Sequence, residues 1–306
     1  MFNYHTSIDV KRAMKISLPI VALESTVLTH GLPRPQNLQL ARDMELTVRE
    51  NGATPATVAI LDGSLHIGLT EAELESLAGE TSAYKVGPRD FATVMVAEAC
   101  GGTTVAGTML ACKQADIKIF ATGGIGGVHR EAPFDISADL QALATIPMIV
   151  VCAGAKAILD LPATLEYLET MSVPVVGYGV EEFPAFYSRD SGLDVSVTLE
   201  TPQEIVEFAK AHWSTGQQSA ILVANPVPQV DAISKAEMEP FIQRANEEAH
   251  QKSIHGKALT PFLLQRISEL TGGRSMQTNL SLLLNNARLA AQIATVYRMT
   301  EKRRQI

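Results

Sequence analysis

Short apolar runs alternate with amphipathic segments along most of the chain, and this alternation restricts the fold more than any other feature. LPIVAL (18–23), KIFATGG (118–124), MIVVCAG (148–154), VPVVGYG (173–179) and SAILVANPVP (219–228) read as strands. Their runs are continuous rather than alternating, as in strands covered on both faces. Helical stretches stand between them. These are 35–51, GTTVAGTMLACKQAD entered through Thr103 and Thr104, SADLQALA, PATLEYLETM with Pro162 at its first position, and PQEIVEFAKAHW. TVAILDGSLHIGL reads as a hairpin with Asp62-Gly63 in the turn. Thr70 and Glu73 then form a capping box. The last hundred residues turn helical, through KAEMEPFIQRANEEAHQK, TPFLLQRISELTGG and a long final helix from about Met276. This pattern predicts an α/β fold, a three-layer α/β/α arrangement with a largely parallel, mixed central sheet and a helical C-terminal region. No repeat or linker interrupts it, so residues 1–306 are expected to form a single domain.

Several function classes are disfavoured by composition. With 46% apolar and 19% charged residues the chain has the makeup of a globular enzyme. A net charge of −8 argues against a nucleic-acid surface but leaves room for a local anion pocket. The longest apolar run, 146–155, is about half of what a membrane span needs. The N-terminus has no signal-peptide core. Cys100, Cys112 and Cys152 are far apart and form no metal or redox pair. A cytoplasmic protein that binds neither membrane nor nucleic acid is expected.

In open α/β sheets, ligands bind beyond the carboxyl ends of the strands. The residues that follow the apolar runs are therefore the candidates: Glu24 after LPIVAL, the TGGIGGVHR loop with His129 and Arg130 after KIFA, and Lys156 after MIVVCAGA. TGGIGGVHR satisfies neither the dinucleotide nor the P-loop pattern. It is either a tight turn or a flexible loop whose N–H groups approach an anion. In FDISADL, a helical spacing would put Asp135 and Asp139 on one face, suited to a hard divalent cation such as Mg²⁺ or Mn²⁺. Alternatively Asp135 caps the helix and Asp139 is solvated. Lys156 either snorkels outward or is partly desolvated among small residues, where its lowered pKa would leave a free amine to attack a carbonyl. Glu24 is a structural carboxylate or a proton donor. Lys85 and Arg89 form a solvated turn or a phosphate clamp. Asn279 and Asn286, seven apart, are a polar stripe on the final helix or readers of a base edge.

Taken together, ALESTVLTHGLPRPQN, GATPATVAILDG, TTVAGTML, FATGGIGGVHR, FDISADL, VVCAGAK, LPATLEYLET, VPVVGYG, EFPAFYSRDSG, NPVP, GKALTPFLL, ELTGG and NNARLAAQIA resemble, in order, the pseudouridine-5′-phosphate glycosidases of the indigoidine-synthase-A-like group. The resemblance covers nearly the whole chain. It implies reversible cleavage of the carbon–carbon glycosidic bond of pseudouridine 5′-phosphate to uracil and ribose 5-phosphate. It further implies Glu24 as proton donor and Lys156 as the nucleophile that bonds C1′, forming a Schiff-base adduct. Asp135 becomes a ligand of Mn²⁺, with Mg²⁺ or another divalent ion as substitute. Lys85 and Val105 become contacts near the phosphate, and Ser137, Ala138 and Asp139 substrate contacts. Asn279 is implied at the uracil edge, with His129 as a further contact, and the assembly as a homotrimer. Two stretches depart from the family pattern: the short Glu131-Ala132-Pro133 segment and Gly87-Pro88 in KVGPRD. A Schiff-base aldolase acting on a sugar phosphate would keep Lys156 but need neither metal nor base-reading Asn. A catalytically silent nucleotide binder on the same scaffold would need neither Glu24 nor Lys156.

Overall fold

The computed structural model describes residues 4–130 and 132–304. Its main sheet has eleven strands. Along the main path the order is Tyr4–Thr6, Ser64–Ile67, Thr54–Leu61, Ile20–Leu23, Ile119–Ala121, Ile149–Cys152, Ile221–Ala224, Val175–Tyr178 and Val197–Leu199. From Thr54–Leu61 to Val197–Leu199 every neighbouring pair is parallel. The antiparallel character lies at one end, where the Thr54–Leu61/Ser64–Ile67 hairpin turns through Asp62 and Gly63, both at positive φ. Gly101–Thr103 pairs antiparallel with Thr54–Leu61, and Tyr84–Val86 lies beside Gly101–Thr103. The expected mixed, largely parallel sheet is observed. Thr103 belongs to a strand, so the next helix, Val105–Gln114, is entered through Thr104 alone.

Helices cover both faces. Val105–Gln114, Ala138–Thr145 and Leu161–Thr170 pack in succession on one side. Gln36–Glu50, Pro202–Ser214 and Arg274–Arg304 pack on the other, the last spanning three adjacent strands. Its contact face is small, with Ala287, Ala290, Ala291 and Ala294 buried, which lets helix and sheet approach closely. The inner strands Ile149–Cys152 and Ile221–Ala224 are wholly buried, as their unbroken apolar runs require. No described helix is long and apolar enough to cross a membrane.

The chain goes from Ile20–Leu23 to Thr54–Leu61 on one side and later returns to Ile119–Ala121 on the other. The strand order therefore reverses between Ile20–Leu23 and Ile119–Ala121. Connections leave this point in opposite directions and open a crevice at the carboxyl ends of the two strands. Glu24 follows one of these strands and Thr122 the other.

Candidate active site

At that switch point lies a cavity of about 460 Å³. Glu24, Lys85, Val105, His129, Asp135, Ser137, Ala138, Asp139, Lys156 and Asn279 all line it. Residues up to 255 positions apart in sequence thus meet on one surface (24 to 279).

Glu24 is held by the residues after it. Ser25 is fully buried; its hydroxyl donates to the Val58 carbonyl at 2.5 Å and accepts from the Thr103 amide at 3.0 Å. Thr26 donates to the Gly102 carbonyl at 3.2 Å. A Cβ on Gly102 would lie 2.3 Å from Thr29 Oγ1, so only glycine admits this packing. The chain then makes one wide turn, Val27–Gly31, that brings His30 to the cavity wall. The Glu24 carboxylate accepts a short hydrogen bond from the Thr122 hydroxyl. Burial pushes its pKa up; the nearby Lys156 and the Thr122 bond oppose this and do not cancel it. A carboxyl that keeps its proton to unusually high pH can donate it.

Lys156 is set by its neighbours' size. Its amide donates to the Ile125 carbonyl at 3.1 Å, beside a bridge between Ile125 and Ala155. Gly154 has φ +84°, and a Cβ there would meet the Pro184 carbonyl at 2.0 Å. On the other side Arg130 holds the Ala157 and Leu159 carbonyls at 3.0 and 3.2 Å and pairs with Glu239 at 2.6 Å. Lys156 is half-buried, with its side chain on the cavity wall and close enough to shift Glu24, Lys85 and His129. Burial lowers the pKa of Lys85, and Lys156 lowers it further. Burial also lowers that of His129, against the opposing pull of Asp135.

One sequence expectation needs correction. Asp135 and Asp139 do not share a helical face. Asp135 lies in the strand Ala132–Ile136, and the helix Ala138–Thr145 starts after Ser137, whose hydroxyl caps it. Asp135 is therefore not the cap, and Asp139 is not solvated. Buried to 5% exposure, Asp139 accepts from the Ala106 amide at 2.9 Å and the Gly126 amide at 2.8 Å. In TGGIGGVHR three amides are already engaged within the protein, while Gly123, Gly124 and Gly126 line the cavity. The amides of Ile125, Gly126 and Val128 donate to the Gly154 carbonyl, Asp139 and Thr164. The glycines are there for space: a Cβ would lie 2.6 Å from the Phe186 ring at Gly124, and 2.3 Å from the Ser137 and Thr164 hydroxyls at Gly126 and Gly127 respectively.

Val105 opens the helix Val105–Gln114. The next two amides are engaged, Ala106 by Asp139 and Gly107 by the Thr104 hydroxyl at 3.2 Å. The amide of Val105 has no partner among the described residues, and a helix N-terminus suits an anion. The two asparagines part company. Asn286 is fully buried, donating to the Thr122 carbonyl at 2.8 Å and accepting from Asn225 at 3.0 Å, whereas Asn279 lines the cavity. Arg89 is 81% exposed and pairs loosely with Asp90. Glu131, where the short segment begins, lies outside the described residues.

For a divalent cation the acidic side chains divide clearly. Both Asp139 oxygens are engaged by amides, and Asp135 is exposed on the cavity wall near His129. Among the described residues, no three His, Cys, Asp or Glu gather as a closed metal cage. Asp135 is thus the carboxylate here that could hold a hard ion, whose other ligands would be water or substrate oxygen.

Sequence reasoning missed Thr122, His30, Asp90, Phe186 and Lys257, which either line the cavity or, for Thr122, bond to Glu24. Phe186 sits at φ +64°, uncommon for an aromatic residue, with its amide donating to Ala153 at 3.0 Å. EFPAFYSRDSG carries no pattern that announces such a turn.

The fold and the site define an α/β protein with a charged ligand crevice at the switch point of a parallel sheet. Comparison with known proteins narrows this class. The profile of the indigoidine synthase A-like protein family matches residues 9–296, and the chain belongs to that family. It is 53% identical over 295 residues to the pseudouridine-5′-phosphate glycosidase of Solibacter usitatus, covering 95% of this chain and 99% of that one. It is 52% identical over 288 residues to the protein of the same name from Caldanaerobacter subterraneus subsp. tengcongensis, covering 94% of each. Among solved structures, the prealnumycin C-glycosynthase AlnA in complex with ribulose 5-phosphate superposes with TM-score 0.90 at 34% identity, covering 98% of both chains. An indigoidine synthase A-like protein from Thermotoga maritima superposes with TM-score 0.89 at 35% identity, covering 97% of both.

Proposed function

We propose that this protein cleaves, reversibly, the C1′–C5 bond of pseudouridine 5′-phosphate, giving uracil and ribose 5-phosphate. The observation that carries the reading is the meeting of a proton-holding carboxyl, Glu24, with the Lys156 amine in one cavity that also holds a cationic end at Lys85. Close similarity to pseudouridine-5′-phosphate glycosidases supports it. So does a pentulose phosphate bound to a neighbour of the same fold.

The leaving atom is carbon, so protonating a heteroatom, as ordinary glycosidases do, is not enough. The amine of Lys156 adds to C1′. The C1′–O4′ bond breaks, its electron pair staying on O4′, which takes up a proton as the new ammonium nitrogen gives one up and regains its lone pair. Glu24 is the acid placed to deliver protons here or to C5 of the base. A proton added at C5 draws on the C5=C6 pair. The C1′–C5 bond then breaks, and its electrons restore that double bond as the Lys156 nitrogen lone pair forms C=N to C1′. Water adds to this iminium, freeing the amine and ribose 5-phosphate. Lys156 lines the cavity wall, where a sugar can approach its amine.

Lys85 and the Val105 amide hold the phosphate, so that binding at the remote end fixes C1′ against the amine. Asn279 reads the amide edge of uracil. Ser137 and Ala138 form the sugar wall, with His129 a further contact, while Asp139 fixes that wall from behind. Asp135 holds a divalent cation, Mn²⁺ or Mg²⁺, which supplies electrostatic stabilisation of developing negative charge when bound. A single domain, a homotrimer and a cytoplasmic setting go with the same reading.

The test is to incubate the protein with pseudouridine 5′-phosphate and divalent cation, following free uracil and ribose 5-phosphate by chromatography. Stoichiometric release of both is expected. Cleavage of simple ketose phosphates with no release of uracil would replace this reading with the aldolase one, and tight binding without turnover with the silent binder.

A further inference from the structure

The C-terminal helical region brings a cation to the cavity that the proposed chemistry does not yet use. Lys257 sits in the turn Gly256–Ala258, before the helix Leu259–Leu270, and lines the cavity with Lys85 and His30. Its segment and that of Lys85 cross: each ammonium donates to the other residue's carbonyl, at 3.4 Å in both directions. The Lys257 ammonium also lies 2.7 Å from Asp90 Oδ1, while Asp90 Oδ2 accepts from the Gly87 amide at 2.9 Å. Lys85 forms no ion pair among the described residues.

Two ammonium groups bonded to neutral carbonyls at such length keep donor capacity for a better acceptor. Their fields overlap. On His30 burial acts most, then Lys85 and Lys257; on Lys85 burial and Lys156 act most, with Lys257 a smaller contribution. Two like charges meet beside a half-buried histidine, with Asp90 on Lys257 and the Asp139 and Glu24 carboxylates acting on Lys85, and the crossed pair of ammonium groups is an arrangement that a dianion would complete. Lys85 is the shared neighbour of the other two cations: Lys156 shifts it, and the segment of Lys257 crosses its own. This arrangement fits a ligand whose reacting carbon is at one end and whose phosphate is at the other.

We infer that Lys257 is a specificity-determining residue: with Lys85 it receives the phosphate dianion of the sugar phosphate, leaving Asp90 to do so. This rests on the pentose-phosphate reading above, but concerns only the phosphate end. Asp90 is the parking site of Lys257 in the free protein.

Lys257→Met keeps an unbranched apolar stem of nearly the same length and removes the charge; Asp90→Asn keeps the acceptor for Gly87 and removes the competing carboxylate. Binding of ribose 5-phosphate and of inorganic phosphate is measured by calorimetry, with thermal melting to show that each variant is folded. Lys257→Met is expected to weaken ribose 5-phosphate by about tenfold or more. It should raise KM for ribose 5-phosphate in the coupling direction and leave KM for uracil within about twofold. Asp90→Asn should bind inorganic phosphate more tightly than the wild type. Unchanged ribose 5-phosphate binding in Lys257→Met, or a raised uracil KM in its place, overturns the inference, as does weaker phosphate binding in Asp90→Asn. The calorimetry needs no turnover. A wild type that binds ribose 5-phosphate through Lys257 yet releases no uracil would refute the proposed reaction alone.

Discussion

Replacing Asp139 by asparagine separates a wall-fixing carboxylate from a ligand-binding one. The two oxygens of Asp139 accept from Ala106 and Gly126, tying the start of the helix Val105–Gln114 to the glycine loop. Asparagine has the same shape but one acceptor. In either orientation its NH₂ faces a backbone N–H, so one bond to a charged acceptor is lost and a buried donor is left unpaired. Bonds to charged groups are worth about 1.5–3 kcal/mol, and an orphaned buried donor costs a similar amount. A net loss of about 2–3 kcal/mol follows if the loop relaxes in part. At about 2 °C per kcal/mol for a chain of this length, Tm falls by about 4–6 °C. Activity falls too, because the Val105 amide and Ser137 move with the loop. Asp135→Asn is the control: Asp135 is exposed, so its Tm should stay within about 1 °C while turnover drops. Scanning calorimetry and uracil release are the assays. Equal Tm values for Asp139→Asn and the wild type would refute the role given to Asp139.

Glu24→Gln tests the raised carboxyl. Between the ordinary value of 4.5 and the raised folded value, the folded protein keeps a proton that the unfolded chain has lost. Stability then falls as pH rises through that window, by up to about 1.4 kcal/mol per pH unit, and does not recover above it. The glutamine variant lacks this fall. It should gain stability over the wild type between acid and neutral pH in denaturant titrations, while turnover drops by about 10²–10⁴-fold. A parallel pH dependence in the two proteins would contradict the assignment. Gly126→Ala places a Cβ 2.3 Å from Ser137 Oγ and 2.8 Å from Asp139 Oδ2. It should cost about 1–3 kcal/mol and most of the activity; a neutral result would show that the glycine is not there for space. Asn286→Ala strands the Asn225 amide and the Thr122 carbonyl, and should lower stability by about 2–4 kcal/mol in chemical denaturation. Asn279→Ala should instead leave stability within about 1 kcal/mol and raise KM for uracil in the coupling direction.

The parts of the fold that the sequence displays are those written in local patterns. Ile149–Cys152 and Ile221–Ala224 are unbroken apolar runs because helices cover both faces, and they are readable for that reason. The Asp62-Gly63 turn and the Thr70 capping box follow from local chemistry and occur as expected. FDISADL was misleading because spacing alone ignores which residue caps best. Ser137 takes that place, and Asp135 stays in the preceding strand. The short strands Tyr84–Val86, Gly101–Thr103 and Val197–Leu199 have three residues each, too few to show a period. At the site, Glu24 and Lys156 were legible because polar residues that end buried strands must face something. Lys257 was not: only the packing of the C-terminal helices brings it beside Lys85, 172 positions away. The burial of Asp139 likewise depends on two amides from other segments.

Borohydride trapping addresses the covalent step most directly. The protein is incubated with pseudouridine 5′-phosphate, or with ribose 5-phosphate alone, and reduced with borohydride; the modified peptide is then sequenced by mass spectrometry. The account predicts one adduct whose mass corresponds to a reduced pentose phosphate, on Lys156, and none in Lys156→Ala. An adduct on Lys85 or Lys257, or undiminished uracil release by Lys156→Ala, would contradict it.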